Sequence, residues 1–460
     1  MSATFDLAAR LCRLLGREKV RTDADTLTAH AKDRWMASQM PDVVVLAETT
    51  EDVSRLLRFC SKHQVPVTPR GAGVGYVGGC VPQKGGVALS VAGMRKIVEI
   101  NAADFVAVVE PGVITGELQA ACRELGLFYP PDPASMKECS IGGNIATNAG
   151  GPRCLKYGVT RQYVLGLQVV LADGRILEAG GRTHKNKTGF DLVGIFTGSE
   201  GMLGVVTRAT LKLLPLPPDC AALSASFASP QAACSAVQAV FAAGFLPSAV
   251  EVADAFTLQA AREFVGSKHV PPGDAHLLIE LDGQPASVVS EADTLAKLLK
   301  KCGALSLKKA AGAVETDKLW GLRRLFSQSL KASGLVKLNE DVTVPRGRLV
   351  DLINFAEELQ REFDVPVACF GHAGDGNIHV NLMVKDYEKP AVHRRMEKAL
   401  DALFRQVIAW EGAITGEHGV GLAKKRWWPL AVSPVNRQVH AQLKHALDPA
   451  GILNPGKFLD

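Results

Sequence analysis

Arg70-Gly-Ala-Gly-Val-Gly-Tyr-Val-Gly-Gly79 follows a strand-like run, Val65–Pro69, and places glycine at positions 71, 73, 75, 78 and 79. Such density lets successive backbone N–H groups turn toward one anionic ligand, and a pyrophosphate suits it. The segment lacks the spacing of a P-loop or of the usual dinucleotide fingerprint, so taken alone it is equally compatible with plain turns. Upstream, Asp42-Val-Val-Val-Leu46 predicts a short buried strand. Glu51–His63 predicts a helix, with Val53, Leu56, Leu57 and Cys60 on one face. Downstream, Val87–Val91 predicts another strand, and the alternation of strand, helix and strand is an α/β pattern. Further strands are expected at Phe105–Val109, Leu165–Leu171 and Gly204–Leu214.

Two more stretches are short on side chains: Ser140-Ile-Gly-Gly-Asn-Ile-Ala-Thr-Asn-Ala-Gly-Gly151 and Gly198-Ser-Glu-Gly-Met-Leu-Gly204. Glycine carries a high entropy cost on folding, so three such stretches point to a large flat ligand that must approach the backbone closely.

A chain of 460 residues is long for one hydrophobic core. The Pro215-Leu-Pro-Pro218 cluster breaks regular structure and marks a domain boundary. Beyond it, strands are expected at Ala222–Phe227, His276–Leu281 and Val365–Phe370. Helices at Pro230–Ala243 and Arg348–Phe363 suggest a sheet with helices on one face, followed by a helical tail.

Composition narrows the function. Hydrophobic residues make up 47% and charged residues 22%, as in an ordinary globular protein. The net charge of +5 is spread along the chain with no run of five Lys or Arg, which speaks against nucleic acid and leaves an anionic small molecule as partner. The ten cysteines form no C-x-x-C pair and read as buried free thiols. At the N-terminus Phe5, Leu7, Leu11, Leu14 and Leu15 fall at helical spacing, but Asp6, Arg10, Arg13 and Arg17 interrupt them before a signal or membrane-spanning length is reached. No transmembrane segment is expected, and a reducing cytoplasm fits, with peripheral membrane attachment only through a partner.

Chemistry is suggested by Cys369-Phe-Gly-His-Ala-Gly-Asp-Gly-Asn-Ile-His-Val-Asn-Leu-Met383. Strand alternation puts His379 and Asn381 on one face and Ile378, Val380 and Leu382 on the other, with His379 directed away from the core. His372 precedes them in a loop loosened by Gly371, Gly374 and Gly376. The two imidazoles fit a metal site, although two nearby histidines are more often structural. In Thr415-Gly-Glu-His-Gly-Val-Gly-Leu422, Glu417 could complete a two-His, one-carboxylate set while His418 faces a substrate as base. The plainer alternative is an N-capping Glu417 and a surface His418 before a helix containing Lys424, Lys425 and Arg426.

Pro69-Arg-Gly-Ala-Gly73, Gly142–Gly151, Lys187-Thr-Gly-Phe-Asp-Leu192, Gly198-Ser-Glu-Gly201 and the two histidine motifs closely resemble the FAD-linked oxidase family. The likeness is to the vanillyl-alcohol-oxidase (PCMH-type) fold, in the branch of D-lactate, D-2-hydroxyglutarate and glycolate dehydrogenases. It runs over nearly the whole chain. It implies an α+β protein: a two-subdomain FAD-binding domain over residues 1–217, an α/β cap with an antiparallel sheet over 218–410, and a C-terminal segment, 411–460, returning to the flavin site. By this resemblance Pro69, Arg70, Gly71, Ala72, Gly73, Val74, Gly75 and Gly78 hold the FAD pyrophosphate. The second and third segments line the isoalloxazine and the rest of the cofactor. Pro131, Ser140, Gly142, Gly143, Asn144, Thr147, Asn148, Ala149, Gly150, Gly151 and Gly158 belong to this group, as do Glu200, Gly201, Gly204, Val205 and Val206. Asn454 joins them. No histidine stands in the first loop, so FAD is expected to be noncovalent, with Cys139 a packed or exposed thiol.

The same resemblance implies that His372, His379 and Glu417 bind a divalent metal, zinc by preference with manganese or iron as alternatives. His418 is then the base. The metal lowers the pKa of the substrate hydroxyl, hydride passes to flavin N5, and the product is a 2-oxo acid. Trp320-Gly-Leu-Arg-Arg324 and Lys337-Leu-Asn-Glu-Asp341 resemble the family's substrate-anchoring segments, with Arg323 and Lys337 favoured for the carboxylate and Asn381 beside them. Either cation could instead be a solvated surface charge, and the adjacent arginines leave the register open. Electrons leave to an external acceptor, a partner protein or a quinone-linked carrier; a homodimer is compatible. The competing readings are a noncatalytic flavin-binding electron-transfer subunit and an oxygen-using oxidase of another alcohol.

Overall fold

The computed structural model describes residues 6–459; Phe5 lies outside them. The chain divides into two compact units. One comprises the chain through Gly150, Val159–Leu216 and Glu417 onward, and the other Gly151–Gly158 and Pro217–Gly416.

The first unit contains two main sheets. The smaller has the order Val20–Arg21, Val43–Leu46, Val87–Ser90, Val67–Arg70, with the last three strands parallel. A parallel neighbour needs a crossover, supplied by the helix Thr50–His63. Its start is written locally: Thr49 and Asp52 form a reciprocal capping box, and Lys19 Nζ holds Asp52 at 2.8 Å. Val53, Leu56, Leu57 and Cys60 are fully buried against Val43, Val45, Val87 and Leu89, the core the apolar spacing predicts. The second sheet is antiparallel, ordered Ile97–Asn101, Val106–Val109, Val205–Lys212, Val164–Val170, Ile176–Gly180. The boundary prolines do not end regular structure at once, because Leu214–Pro215 still pairs with Leu127–Phe128. From the C-terminus, Ile452 accepts the Val67 amide at 2.8 Å and Asn454 donates to Val67 at 2.7 Å, extending the small sheet beside the Arg70 loop.

The second unit is built on seven antiparallel strands, ordered Ser306–Ala311, Asp219–Phe227, Ala275–Gly283, Ala249–Ala253, Val367–His372, Asn377–Val384, Val336–Thr343. Helices cover both faces, not one as expected. Trp320 and Phe326 of Ala313–Ala332 pack on Ala222, Leu278, Ala368 and Phe370. On the other face Val367 and Cys369 line a pocket with Ile353 and Ala356 of Leu349–Glu362. The physical reason is continuous burial: Asn377–Val384 is buried at every position, so polar alternation there marks a site within the fold, not a solvent face. His379 accordingly shares its face with Met383 of the core and does not point away from it.

Candidate active site

In the first unit the Arg70 loop leaves the carboxyl end of a parallel strand, where open α/β sheets place their ligands. Gly73 has φ +69°, and a Cβ there would lie 2.1 Å from Arg70 Nη2. Arg70 itself is turned inward, donating to the Lys32 carbonyl at 2.7 Å and to Cys80 Sγ at 3.1 Å. Among the described residues the amides of Gly73, Val74 and Gly75 donate to no protein acceptor, so the loop offers a short nest for an anion. Ala72 is partly engaged, its amide 3.3 Å from Ser140 Oγ. Asn454, buried, ties the loop down through Nδ2, which donates to Gly79 O and Glu200 O, while its Oδ1 has no partner.

Ser140–Gly151 is not an open loop: Ile141–Thr147 is a helix capped by Ser140 and closed by Asn148 at φ 51°. Its glycines have reasons inside the chain. A Cβ on Gly142 would meet Pro111 Cβ at 2.6 Å, and one on Gly204 would meet Val169 Cγ1 at 2.4 Å. A flat ligand is therefore not the only cause of small residues here, which corrects the argument made from their density. Asn144 is buried and donates to Thr115 Oγ1 at 2.6 Å, and Thr147 Oγ1 donates to Gly143 O at 3.2 Å. Pro131 is buried and its carbonyl accepts from Gln119. Ala149 O accepts from Thr160, and Val205 and Val206 open a strand paired to Val170 and Val169. Gly150 is buried, and Gly201, at φ +71°, lies against Pro69. In the second unit, Gly151 donates to Cys154 Sγ and Gly158 closes the short helix Cys154–Tyr157. The Lys187–Leu192 segment, expected to line the cofactor, is exposed, with Phe190 92% accessible.

Glu200 is buried, and its two oxygens accept the amides of Val420 at 2.7 Å and Gly421 at 2.9 Å. Burial raises its pKa, against the pull of those amides. Its side chain thus braces the loop that carries His418. Gly419, at φ +88°, has no room for a Cβ, which would fall 2.8 Å from Glu200 Oε1. His418 lies with its ring 5.4 Å from that of Tyr76, and its Nε2 is 3.6 Å from Glu417 Oε1. No helix contains Lys424, Lys425 and Arg426; they sit in consecutive turns with Lys424 buried, so the capping alternative for Glu417 falls.

The second unit gathers the rest on one sheet face. Strand register sets Phe370 opposite His379, Asp341 opposite His379, Asn339 opposite Asn381, and Glu251 opposite His372. The rings of His372 and His379 are 5.6 Å apart. His372 Nδ1 lies 2.6 Å from Glu251 Oε1, which sets the proton on Nδ1 and turns Nε2 outward as a lone-pair donor. Glu251 Oε2 accepts from Arg323 Nε at 2.5 Å. Burial alone would raise the Glu251 pKa, but His372 and Arg323 outweigh it and leave it lowered. Arg323 lies 4.9 Å over the Phe370 ring, while Arg324 is exposed and paired with Asp317, so of the two it is Arg323 that faces the sheet. Among the described residues Lys337 pairs only with Ser327 Oγ, at 3.1 Å, and burial, aided by Lys331 and Arg323, pushes its pKa down to about 8. Asn381 donates to Ala368 O and His379 O, leaving Oδ1 without a partner among the described residues.

Asp341 accepts the Gly416 amide at 2.6 Å, and Thr343 pairs with Ala413, so the chain is anchored to this sheet up to the residue before Glu417. Glu417 follows Gly416 directly in the chain, and His372, His379 and Glu417 make up a donor set that could hold a metal ion. Two imidazoles and a carboxylate suit zinc, iron or manganese. Glu251 and Asp341 escaped the sequence reading. The available signal was a lone carboxylate in an otherwise apolar strand, Ala249-Val-Glu-Val-Ala253.

Residues 41–180 match the family model "FAD binding domain", and residues 216–458 match "FAD linked oxidases, C-terminal domain". The chain belongs to the FAD-linked oxidase family. This FAD-linked oxidase is 40% identical to "Glycolate oxidase subunit GlcD" of Bacillus subtilis, over 99% of this chain and 97% of that one. It is 35% identical to "D-lactate dehydrogenase" of Archaeoglobus fulgidus, over 91% of each. Among solved structures it resembles p-cresol methylhydroxylase at TM-score 0.82 and 20% identity, covering 98% of this chain and 96% of that one. An alkyldihydroxyacetonephosphate synthase follows at TM-score 0.76 and 19% identity, covering 98% and 84%. These likenesses show the PCMH-type fold. The oxidase is an FAD-dependent oxidoreductase, and none of its described helices is long and apolar enough to cross a membrane.

Proposed function

We propose that this FAD-linked oxidase oxidises a small 2-hydroxy acid, glycolate, D-lactate or another D-2-hydroxy acid, to the 2-oxo acid and passes the electrons to an external acceptor. The supporting observation is the sheet face that sets His372 and His379 beside two cations, Arg323 and Lys337, of which Lys337 has no carboxylate partner among the described residues. A half-buried ammonium with no carboxylate partner among the described residues favours an anionic ligand. The relatives named glycolate oxidase subunit and D-lactate dehydrogenase support the same substrate class.

On this reading residues 1–217 hold the flavin, 218–410 carry the substrate, and 411–460 return with Glu417 and His418. FAD, bound noncovalently by the Arg70 nest and the Ser140–Gly151 segment, supplies the two-electron sink. A divalent ion held by His372, His379 and Glu417 supplies Lewis acidity toward the hydroxyl. Arg323 presents its terminal nitrogens to the carboxylate, and Lys337 adds a second charge. Asn381, on the same face as His379, offers its unpaired Oδ1 to the substrate. His418 takes the hydroxyl proton on its ring nitrogen, a role worth about 10²–10⁴ in rate for a positioned base.

The test is anaerobic bleaching of the flavin absorbance by glycolate, D- and L-lactate and D- and L-2-hydroxyglutarate, with and without chelator. Bleaching by one acid, lost on chelation and restored by metal, is expected. A protein that carries FAD yet is bleached by none of them would instead be a noncatalytic electron-transfer subunit or act on another class of alcohol.

A further inference from the structure

Glu251 is the midpoint of the strand Ala249–Ala253, which is buried at every position, and its carboxylate is 1% exposed. A lone ionised group in such a strand is costly unless both oxygens are satisfied. They are satisfied by two residues distant in sequence. Oε1 accepts from His372 Nδ1, and Oε2 accepts from Arg323 Nε. His372 faces Glu251 directly across the sheet, while Arg323 descends from the helix Ala313–Ala332. Phe370 closes the arrangement by stacking under the guanidinium. Arg323 makes no other hydrogen bond among the described residues, so its terminal nitrogens remain available to an anion.

We propose that Glu251 is a positioning residue that locks the ligand face of His372 and the anion-binding face of Arg323 into one frame, so that metal binding and carboxylate binding depend on the same side chain. The inference rests on the functional reading above. An imidazole with one nitrogen held by a carboxylate is fixed in ring orientation and tautomer, and its other nitrogen becomes a stronger ligand. A guanidinium held by one edge presents its remaining donors in a fixed plane, which suits the short span between the hydroxyl and carboxylate of a 2-hydroxy acid. In Glu251→Gln the amide can accept from only one of these partners, and its NH2 opposes the N–H of the other. Both sites therefore loosen together, although residue 251 is not among the candidate metal ligands.

The experiment uses the FAD-loaded full chain, stripped of metal, with zinc binding followed by calorimetry and oxalate, an unreactive dicarboxylate, titrated by its perturbation of the flavin spectrum. For Glu251→Gln, zinc affinity is expected to fall about 10- to 100-fold, the usual effect of removing a carboxylate behind a ligating histidine. Oxalate binding should weaken in the same variant even with zinc saturating. Glu251→Asp keeps the charge but shortens the reach. Should the Gln variant fail to fold, Glu251→Asp supplies the same two readouts, and both affinities are expected to fall in it. Zinc and oxalate affinities both within twofold of the parent in either folded variant would overturn the proposal. Loss of either affinity alone in a folded variant would reduce Glu251 to a partner of one residue, Arg323 or His372, and overturn the coupling. If the parent itself binds no divalent ion, the metal reading fails instead, and that outcome is distinguishable because it needs no variant.

Discussion

Asp341 Oδ2 accepts the amide of Gly416 at 2.6 Å, joining the outermost strand of the seven-stranded sheet to the residue before Glu417. Thr415 Oγ1 lies 3.3 Å from each oxygen of the same carboxylate. Asp341→Ala removes the acceptor and leaves the Gly416 amide unsatisfied, at a cost of about 1–3 kcal/mol. A lower melting temperature and poorer zinc retention are expected, with Asp341→Asn losing less because one acceptor remains. Calorimetric melting of the zinc-loaded proteins checks this; an Ala variant that melts with the parent would remove Asp341 from the site's support.

His418→Asn should leave flavin content and zinc affinity in place while slowing flavin reduction by about 10²–10⁴. Stopped-flow anaerobic reduction reads it directly, and unchanged reduction would end the assignment of His418 as base.

Lys337 has its pKa depressed to about 8 from 10.5. Below pH 8 it is charged, so anion binding is strongest there, and the KM for the acid should rise as pH passes through about 8. Lys337→Met should abolish that inflection. The stability sign is opposite: between 8 and 10.5 the unfolded chain holds the extra proton, so this group makes the ligand-free protein more stable as pH rises through that window. A KM profile flat from pH 7 to 9 in the parent would show that Lys337 does not meet the substrate.

Arg323 and Arg324 are adjacent but have different surroundings. Arg324→Ala removes an exposed pair with Asp317, worth at most about 1 kcal/mol, and should leave KM within about twofold. Arg323→Ala takes one of two partners from the buried Glu251 carboxylate, leaving His372, and should cost about 1–3 kcal/mol of stability along with substrate affinity. Equal effects of the two substitutions on KM would contradict the register.

Gly142→Ala tests packing beneath the cofactor segment. Its Cβ would fall 2.6 Å from Pro111 Cβ, an overpacking cost of about 1–3 kcal/mol. FAD should be lost at lower temperature, followed by flavin fluorescence on heating. Gly181→Ala, with nothing within 4 Å of the new Cβ, is the control expected to be neutral.

Local chemistry made several parts of this molecule legible in the chain itself. The helix Thr50–His63 carries its own cap in Thr49 and Asp52 and its own buried face at 3.6-residue spacing. The flanking valine runs could only be buried strands. His372 and His379 were visible as a pair because they lie on adjoining strands joined by a tight turn, Val367–His372 and Asn377–Val384. Glu417 and His418 stood out because small residues surround them.

What remained depended on register and on both faces of a sheet. Glu251 is 121 positions from His372, and only the pairing of Glu251 opposite His372 makes the lone carboxylate a partner of the histidine. The helix Ala313–Ala332 decides that Arg323 turns inward and Arg324 outward, through the packing of Trp320 and Phe326. The glycines of Ser140–Gly151 and Gly204 looked like space for a ligand, yet Pro111 and Val169 press on them from within the chain. Sequence alone determined which side chains could do chemistry, because residue type and local spacing limit what each can be. Tertiary structure decided which of them meet, because the energy of a buried charge depends on partners that only strand pairing and helix docking bring within hydrogen-bond reach.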